Sequence, residues 1–447
     1  MTSMTRRIPR RMRIAAGLTT LVAAGAALAG CSSSGSSGGD ADKTSGVTIS
    51  VVLAYDPPPK ATLDEFKKET GITVKWSNVD WDSLQTKIAA AASAKTYFAD
   101  ATDVDWSRVG QLGKLGWFHP MDSYLDVKKM QGDMPQLASF QDGGKTVGIP
   151  FDASFMATTI NKKMLEDAGI TTMPASIDEY TNDLKQVQAK GISEHPLNIP
   201  FAASEGLSTA WYETTGAFGG SILDAKGKPQ FTSKDSAGYK AASWMIQQLK
   251  DGLIAPANIN VSDSQGMQTL MAKGVVASTY SDYSGNVGSL YNVPASSTVT
   301  GQVVYIPTPG VKGAAGNLTN ADGIGIPMTA KYPKAAAKFI DWFTSKQAQV
   351  GFAGGSGKDK VIPGYALPSR VSAVQALNQK GSIDGGDVLA DMLKGSKPVF
   401  PEGAPSWYPE FSRAVYTNLH AAAAGTMTVD QAIKKIGDTA TQLASGS

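Results

Sequence analysis

The sequence predicts an α/β fold built as two lobes, and three observations lead to this prediction. The apolar runs Val47–Ala54 and Ile72–Trp76 flank a helical pattern over Lys60–Thr70, and a strand–helix–strand order of this kind forms a parallel sheet. The chain that follows a leader segment has roughly 400 residues, which is more than one hydrophobic core usually supports. Two short apolar runs also meet within Gly148–Met164, where we expect the chain to cross between lobes.

Residues 1–30 have the pattern of a lipoprotein signal peptide. Five arginines precede the small apolar run Ile14–Ala29, and Leu28–Cys31 has the form of a bacterial lipobox. Cys31 is the only cysteine, and we expect it to carry lipid, with a structural thiol in the core as the alternative. Residues 31–46 then form a Ser/Gly tether, and two arginine pairs in the leader leave twin-arginine export open.

The charge balance argues against nucleic acid as the partner. The full chain has 41 Lys and Arg against 39 Asp and Glu, and removal of the five leader arginines leaves 36 against 39, a formal charge of −3. Nucleic-acid binding depends instead on an excess of positive charge. The three histidines lie far apart without metal-site spacing, and we find no phosphate-binding loop, so no metal or cofactor is expected.

The first lobe is predicted to begin with the strand Val47–Ala54. Gly71 should end the following helix, Asp82 should cap the next one, and Ala99–Val104 should form the third strand. Ligands of open parallel sheets bind at the carboxyl ends of the strands. Asp56 and Asp105 follow two such ends and are candidate hydroxyl acceptors, although a solvated turn and a helix cap are the respective alternatives.

The stretch Gly148–Met164 is the predicted first crossing. Pro150 has no N–H for a central ladder, so the first apolar run should end there. Asp152 then lies between the two runs, and we expect its carboxylate to face the gap between the lobes. An ordinary surface turn is the alternative for Asp152.

The second lobe is predicted from helix caps and further apolar runs. Ser176 and Glu179 form a capping box, as do Thr428 and Gln431. The strand of residues 274–280 should end on Ser281-Asp282-Tyr283. The other helices of this lobe are Asp235–Lys250, Trp407–Ala424 and Thr428–Leu443. A second crossing at Gln302–Pro309 should return the chain to the first lobe, which holds the helix Pro333–Ala353, and a third crossing follows at Gly354–Gly364.

The chain resembles the family 1 extracellular solute-binding proteins, the maltose-binding-like group that serves ABC importers. Gly148–Asp152 and Ile160–Lys162 fit the first hinge pattern of that family, with Ile160 in place of the usual aromatic residue. The resemblance covers nearly all of 47–444 and implies a type II periplasmic-binding-protein-like fold with three hinge crossings. It implies a first lobe of 47–152 and 310–355 and a second lobe of 153–309 and 356–447.

This resemblance also implies a function. The protein would be a monomeric, lipid-anchored lipoprotein on the extracytoplasmic face of the bacterial cell membrane, without enzyme activity. It would capture a mono- or oligosaccharide between its lobes and deliver it to the membrane permease subunits of an ABC importer. A surface-anchored glycan hydrolase and a binding protein for a non-sugar solute are the alternatives.

The predicted binding residues combine aromatic rings with carboxylates at strand ends and crossings. Sugars stack their apolar C–H faces on aromatic rings, and their hydroxyls need polar partners. Trp407 ranks first because it matches the position where the family places a stacking aromatic, and one of Trp211 and Tyr212 is expected to face the core. The predicted substrate-binding residues are Asp56, Trp81, Asp105, Trp106, Asp152, Trp211, Tyr212, Asp282, Tyr283, Asp322 and Trp407.

Overall fold

The structure is a computed structural model that describes residues 41–224, 227–263, 265–353, 367–401 and 403–446. The predicted signal peptide, Cys31, most of the tether and the predicted third crossing at Gly354–Gly364 lie outside these residues. No helix in the described ranges combines the length and the apolar character needed to cross a membrane.

The strands are short, as expected for an α/β protein. In chain order they are β1 (Thr48–Leu53), β2 (Thr73–Asn78), β3 (Ala101–Asp105), β4 (Gln141–Asp142), β5 (Lys145–Thr146), β6 (Ile149–Pro150), β7 (Met156–Asn161), β8 (Leu197–Asn198), β9 (Ser278–Tyr283), β10 (Val303–Ile306), β11 (Pro309–Gly310), β12 (Gly313–Ala314) and β13 (Asp322–Gly325).

Helices separate most of these strands. They are α1 (Lys60–Thr70), α2 (Trp81–Ala94), α3 (Val109–Lys114), α4 (Val127–Met130), α5 (Lys162–Asp167), α6 (Ile177–Ala189), α7 (Glu205–Ala217), α8 (Ala237–Lys250), α9 (Gln265–Ala272), α10 (Pro333–Phe343), α11 (Lys346–Ala353), α12 (Val371–Gln379), α13 (Gly386–Gly395), α14 (Tyr408–Ala423) and α15 (Val429–Ser445). Shorter helical turns are Trp106–Arg108, Met121–Ser123, Pro135–Phe140, Pro256–Asn260 and Val287–Tyr291.

The strands form two main sheets, one in each lobe. The first sheet has the order β2-β1-β3-β13-β6, in which β1 is parallel to β2 and β3 while β13 is antiparallel to its neighbours. The second sheet has the order β10-β7-β9-β8. The predicted two-lobed α/β fold with a parallel strand–helix–strand start is therefore confirmed.

Local signals set the ends of several elements as predicted. Gly71 has φ 72°, a left-handed conformation that suits glycine, and its N–H caps the end of α1 by donating to Lys67 O. The capping box of Ser176 and Glu179 starts α6, and β6 ends at Pro150. The Phe66 ring packs edge-on against Phe339 at 5.6 Å between centroids, which joins α1 to α10 in the first core.

Three predicted boundaries are wrong. Asp80, not Asp82, caps α2, because its side chain accepts from the Ser83 N–H at 3.0 Å. The predicted helix of residues 333–353 is two helices that meet at 344–345. Strand β9 begins at Ser278, not at residue 274, although it ends on Tyr283 as predicted.

The second crossing lies later in the chain than predicted. Thr319 bridges to Phe155, and Leu318 bridges to Lys397, so the chain as far as residue 319 still pairs with second-lobe segments. The chain then joins the first sheet at Asp322. The chain therefore returns to the first lobe near residue 320, not at the predicted residue 310.

Candidate functional site

Carboxylates from distant parts of the chain gather where the lobes meet, a region that we call the seam. In the β3–β13 ladder, Asp105 lies directly opposite Asp322, so both side chains leave the same face of the sheet. Asp103 lies on that face too, two residues before Asp105. Asp152 lies two residues beyond the end of strand β6, which is the other neighbour of β13. The strand order thus brings four acids to one edge of the sheet.

A tyrosine links two of these acids. The Tyr55 hydroxyl lies 3.0 Å from Asp152 Oδ2 and 3.1 Å from Asp322 Oδ2. One hydroxyl proton can serve only one of the two oxygens, so the other short contact calls for a proton on a carboxyl group. The N–H of Asp322 also donates to Asp152 Oδ1 at 2.8 Å. The segments that contain Asp152 and Asp322, which pass between the lobes and which we call the hinge segments, are therefore joined in one hydrogen-bonded group.

Burial sets the electrostatics of the seam. Asp103 and Asp152 are each 1% exposed. Burial raises the pKa of Asp152 to about 7, and it raises the pKa of Asp105 as well. The pKa of Asp322 rises through burial and then through the negative charges of Asp103, Asp152 and Asp105. The seam therefore holds acids that keep protons near neutral pH and can both donate and accept hydrogen bonds.

The first lobe adds aromatic and amide groups beside these acids. Gln85 donates from Nε2 to Asp103 Oδ2 at 2.5 Å, and the Trp81 indole lies close enough to the Asp105 side chain to lower its pKa. Trp81, Gln85 and Arg108 line an indentation of about 290 Å³. The Arg108 guanidinium lowers the pKa of Asp105, while its buried Nε has no hydrogen-bond partner among the described residues.

The second lobe faces this group with the start of α7 and α14. Glu205 accepts from Ser412 Oγ at 2.6 Å and from the Tyr408 hydroxyl. Burial raises the pKa of Glu205 most, and the negative charge of Asp105 across the seam raises it further. The Trp106 ring lies 5.2 Å from the Tyr408 ring, so aromatic side chains of both lobes meet here.

Some predicted residues lie elsewhere. Trp211 belongs to the core, because it is fully buried, donates from Nε1 to Gly238 O at 2.8 Å and packs edge-on against Phe231. Asp282 is enclosed in the second lobe by four hydrogen-bond donors. Asp56 is exposed and accepts from Asn78 Nδ2 at 2.8 Å. These three residues are not part of the seam, and their role in binding stays a prediction.

The other predicted residues divide between two places. Trp81, Asp105, Trp106, Asp152 and Asp322 lie in the seam. Tyr283 adjoins it, since its buried hydroxyl donates to Asp263 Oδ2 at 2.6 Å while its pKa is raised by burial and by several acids including Asp322. Tyr212 and Trp407 line a separate cavity of about 780 Å³ on the second lobe.

Sequence reasoning missed several seam residues. Tyr55 is next to Asp56, which was predicted as a binding residue, but it is the Tyr55 hydroxyl that contacts the seam acids. Asp103 lies two residues before Asp105, so both side chains leave the same face of the strand. This two-residue period was the available signal for Asp103. Glu205, Tyr408 and Arg108 carried no local signal, because only tertiary packing brings them to the seam. Across the described residues, no three His, Cys, Asp or Glu side chains are arranged to hold a metal ion.

Comparisons with known proteins show which proteins this chain is similar to. A binding protein of Brucella abortus (strain 2308) is 25% identical over 320 residues, which are 68% of this chain and 74% of that protein. The diacetylchitobiose binding protein DasA of Streptomyces coelicolor is 23% identical over 412 residues, 88% of this chain and 90% of its own. The solved structure of maltose-bound MalE3 from T. maritima has a TM-score of 0.73 at 20% identity and covers 89% of this chain and 100% of that chain.

The family assignment rests on a longer match. The family model of the bacterial extracellular solute-binding proteins matches residues 54–350, which is more than half of the chain. The match includes the second main sheet, every strand of the first main sheet except β1, and the seam carboxylates. The chain belongs to the bacterial extracellular solute-binding protein family, as its sequence pattern predicts.

Proposed function

We propose that this protein captures a carbohydrate in the seam and delivers it to the membrane permease of an ABC importer. The observation that carries this proposal is the cluster of Asp103, Asp105, Asp152 and Asp322 beside Trp81. Sugar hydroxyls need partners that both accept and donate, and an indole face suits the C–H side of a sugar ring. The named ligands of DasA and MalE3, diacetylchitobiose and maltose, are sugars.

Closure of the lobes around the ligand would be the whole mechanism. Asp105 and Arg108 come from the first lobe, while Glu205 and Tyr408 come from the second. A ligand that touches both sets stabilises the closed arrangement over an open one by its contacts with the second lobe. No bond is made or broken in this process, and the permease would recognise the closed form.

The anchor and the location belong to the same proposal. Lipid on Cys31 would hold the protein at the extracytoplasmic face of the membrane, with the tether of residues 31–46 giving reach. The protein would act as a monomer, since one chain supplies both walls of the seam.

Calorimetric titration of the full-length protein with diacetylchitobiose and maltose tests this function, with free amino acids as controls. Asp105→Asn should weaken sugar binding about tenfold, because an amide nitrogen that cannot accept a hydrogen bond replaces one of the two carboxyl oxygens. The exposed Asp56→Asn is the matched control and should bind as the wild type does. Binding of amino acids only would contradict the carbohydrate ligand, and release of smaller sugars in the same tube would favour a hydrolase.

A further inference from the structure

Three large apolar side chains are exposed on the first lobe. Tyr97 is 40% exposed, Leu115 is 42% exposed and Met328 is 51% exposed. They are half of the large apolar side chains that are exposed among the described residues. Single exposed apolar residues are ordinary, whereas a group of them on one surface marks an interaction site. The arrangement of these three residues therefore decides what they mean.

Backbone contacts bring the three side chains to one surface. The N–H of Met328 donates to Trp117 O at 2.7 Å, and Trp117 lies two residues after Leu115. The threonine that follows Met328 donates its hydroxyl to Thr96 O at 3.2 Å, directly before Tyr97. The segment of Met328 thus lies between the segments of Leu115 and Tyr97.

Three lysines accompany these side chains. Lys95 lies two residues before Tyr97, Lys114 precedes Leu115, and Lys331 Nζ lies 4.3 Å from the centroid of the Tyr97 ring. All three lysines are exposed, and no acid among the described residues forms an ion pair with them. Apolar surface and unpaired positive charge thus lie side by side. We call this surface the basal patch, and it consists of Lys95, Tyr97, Lys114, Leu115, Met328 and Lys331.

The basal patch and the seam lie at opposite ends of the first sheet. Tyr97 precedes β3 and Met328 follows β13, whereas Asp105 ends β3 and Asp322 begins β13. Because β3 and β13 are antiparallel, the start of one and the end of the other share an edge of the sheet. Strand β1 is parallel to β3, so the chain also enters β1 at the edge of the basal patch.

The tether reaches the body beside this patch. Asp42 pairs with Lys334 Nζ at 2.6 Å, and Thr44 O accepts from the lysine four residues further along α10 at 3.4 Å. Helix α10 begins two residues after Lys331 of the basal patch. The chain from Cys31 to the first described residue can span at most about 35 Å. A lipid on Cys31 would therefore keep this end of the first lobe close to the membrane.

We propose that the basal patch docks the protein on the anionic lipid headgroups of the membrane that holds its anchor. The three ammonium groups are attracted to the lipid phosphates, while Tyr97, Leu115 and Met328 enter the boundary between headgroups and acyl chains. In this orientation the seam faces away from the membrane, toward the space from which the solute arrives. The inference rests on the proposed lipid at Cys31, which brings the membrane near, and not on the ligand of the seam.

Fluorescence quenching in vesicles tests this docking. The full chain, expressed with its signal peptide and recovered from the membrane, is reconstituted into phosphatidylcholine vesicles with or without phosphatidylglycerol and with a quencher on the lipid headgroups. Cys31 is the only native cysteine, so a fluorophore can be attached at the exposed Ser93→Cys near the patch or at the exposed Ser296→Cys on the second lobe. We expect several-fold stronger quenching at residue 93 than at residue 296, and only with phosphatidylglycerol.

A triple variant removes the charge of the patch: Lys95→Gln, Lys114→Gln and Lys331→Gln. Each lysine near an anionic surface strengthens binding roughly fivefold, so this variant should shift the balance from docked to free protein by roughly a hundredfold. The difference in quenching between the two labels should then disappear. The matched control carries the same change at exposed lysines of the second lobe, Lys250→Gln, Lys273→Gln and Lys380→Gln. All six lysines are exposed, so thermal unfolding should stay unchanged in both variants.

Several results would overturn the inference. They are equal quenching at residues 93 and 296, the same quenching without phosphatidylglycerol, and wild-type quenching in the patch variant. A dimer that only the patch variant dissociates, seen by light scattering, would assign the patch to a second copy of the chain instead. Mass spectrometry tests the anchor separately. If acyl chains are absent, the anchor proposal fails, and co-sedimentation with phosphatidylglycerol vesicles decides the patch, because equal binding of the two triple variants would refute it.

Discussion

The backbone N–H of Asp322 donates to Oδ1 of Asp152 at 2.8 Å, although the two residues are far apart in the chain. Asp152 lies two residues after the end of β6 and Asp322 begins β13, so the bond joins the two described segments that pass between the lobes. Each hinge segment therefore restrains the other. The same carboxyl group is buried, which makes its protonation part of the stability of the hinge.

Stability should fall as the pH rises through the pKa of Asp152. Burial raises that pKa to about 7 in the folded protein, whereas an unfolded Asp titrates near 4. The folded state thus holds more protons between about pH 4 and pH 7, and the free energy of unfolding decreases over that window by roughly 2–4 kcal/mol from this group. Urea unfolding at pH 5 and pH 8 measures the difference.

Asp152→Asn is the variant that isolates this effect. An amide does not titrate, so the loss of stability between pH 5 and pH 8 should become smaller. The exposed Asp56→Asn should leave the pH dependence unchanged. If the free energy of unfolding changed equally with pH in the wild type and in Asp152→Asn, other groups would cause the pH dependence.

Gly110→Ala should hold the lobes apart. A Cβ at Gly110 would lie 2.1 Å from the carbonyl oxygen of Ala404, and neither the Cβ, whose position the backbone fixes, nor the backbone oxygen can rotate away. We expect a larger radius of gyration in small-angle X-ray scattering and at least tenfold weaker ligand binding, because closure loses stability. Gly132→Ala, where an added Cβ meets no atom within 4 Å, is the control. Unchanged scattering and binding in Gly110→Ala would contradict this role.

Trp211 should matter for stability and not for ligand binding. Its indole is fully buried against Phe231, and its Nε1 donates to Gly238 O. Trp211→Ala should cost about 3–5 kcal/mol of unfolding free energy through the cavity it leaves. Trp211→Phe should cost less, because most of the ring volume remains. If the Trp211→Phe protein had normal stability but did not bind sugar, Trp211 would belong to the binding site.

Asp282 should be needed for the stability of the second lobe. Its carboxylate accepts from the side chains of Thr159 at 2.7 Å, Asn286 at 2.6 Å and Tyr291 at 2.9 Å. Asp282→Ala leaves these buried donors unpaired, so it should cost about 2–4 kcal/mol. Asp387→Ala removes an exposed acceptor of Asn378 and should cost under about 0.5 kcal/mol. Chemical denaturation compares the unfolding free energies of the two variants. Equal losses would refute a stabilising role for the hydrogen bonds of Asp282.

Local sequence signals account for the elements of the fold that were predicted well. The left-handed Gly71 ends α1, the Ser176–Glu179 capping box starts α6, and the missing N–H of Pro150 ends β6. Each of these effects acts within a few residues, so the chain displays it without any tertiary contact. The family pattern follows from the order of such elements and is likewise visible in the sequence.

Tertiary structure decided which residues form the site. Asp105 meets Asp322 only because β13 returns to lie between β3 and β6, and no local pattern states that pairing. Trp81 and Trp211 both precede a polar or aromatic neighbour in the sequence, yet one borders the seam and the other fills the core. The physical reason is that burial and charge repulsion depend on which distant strands and helices pack together, while the sequence alone determines only how each segment begins, ends and alternates.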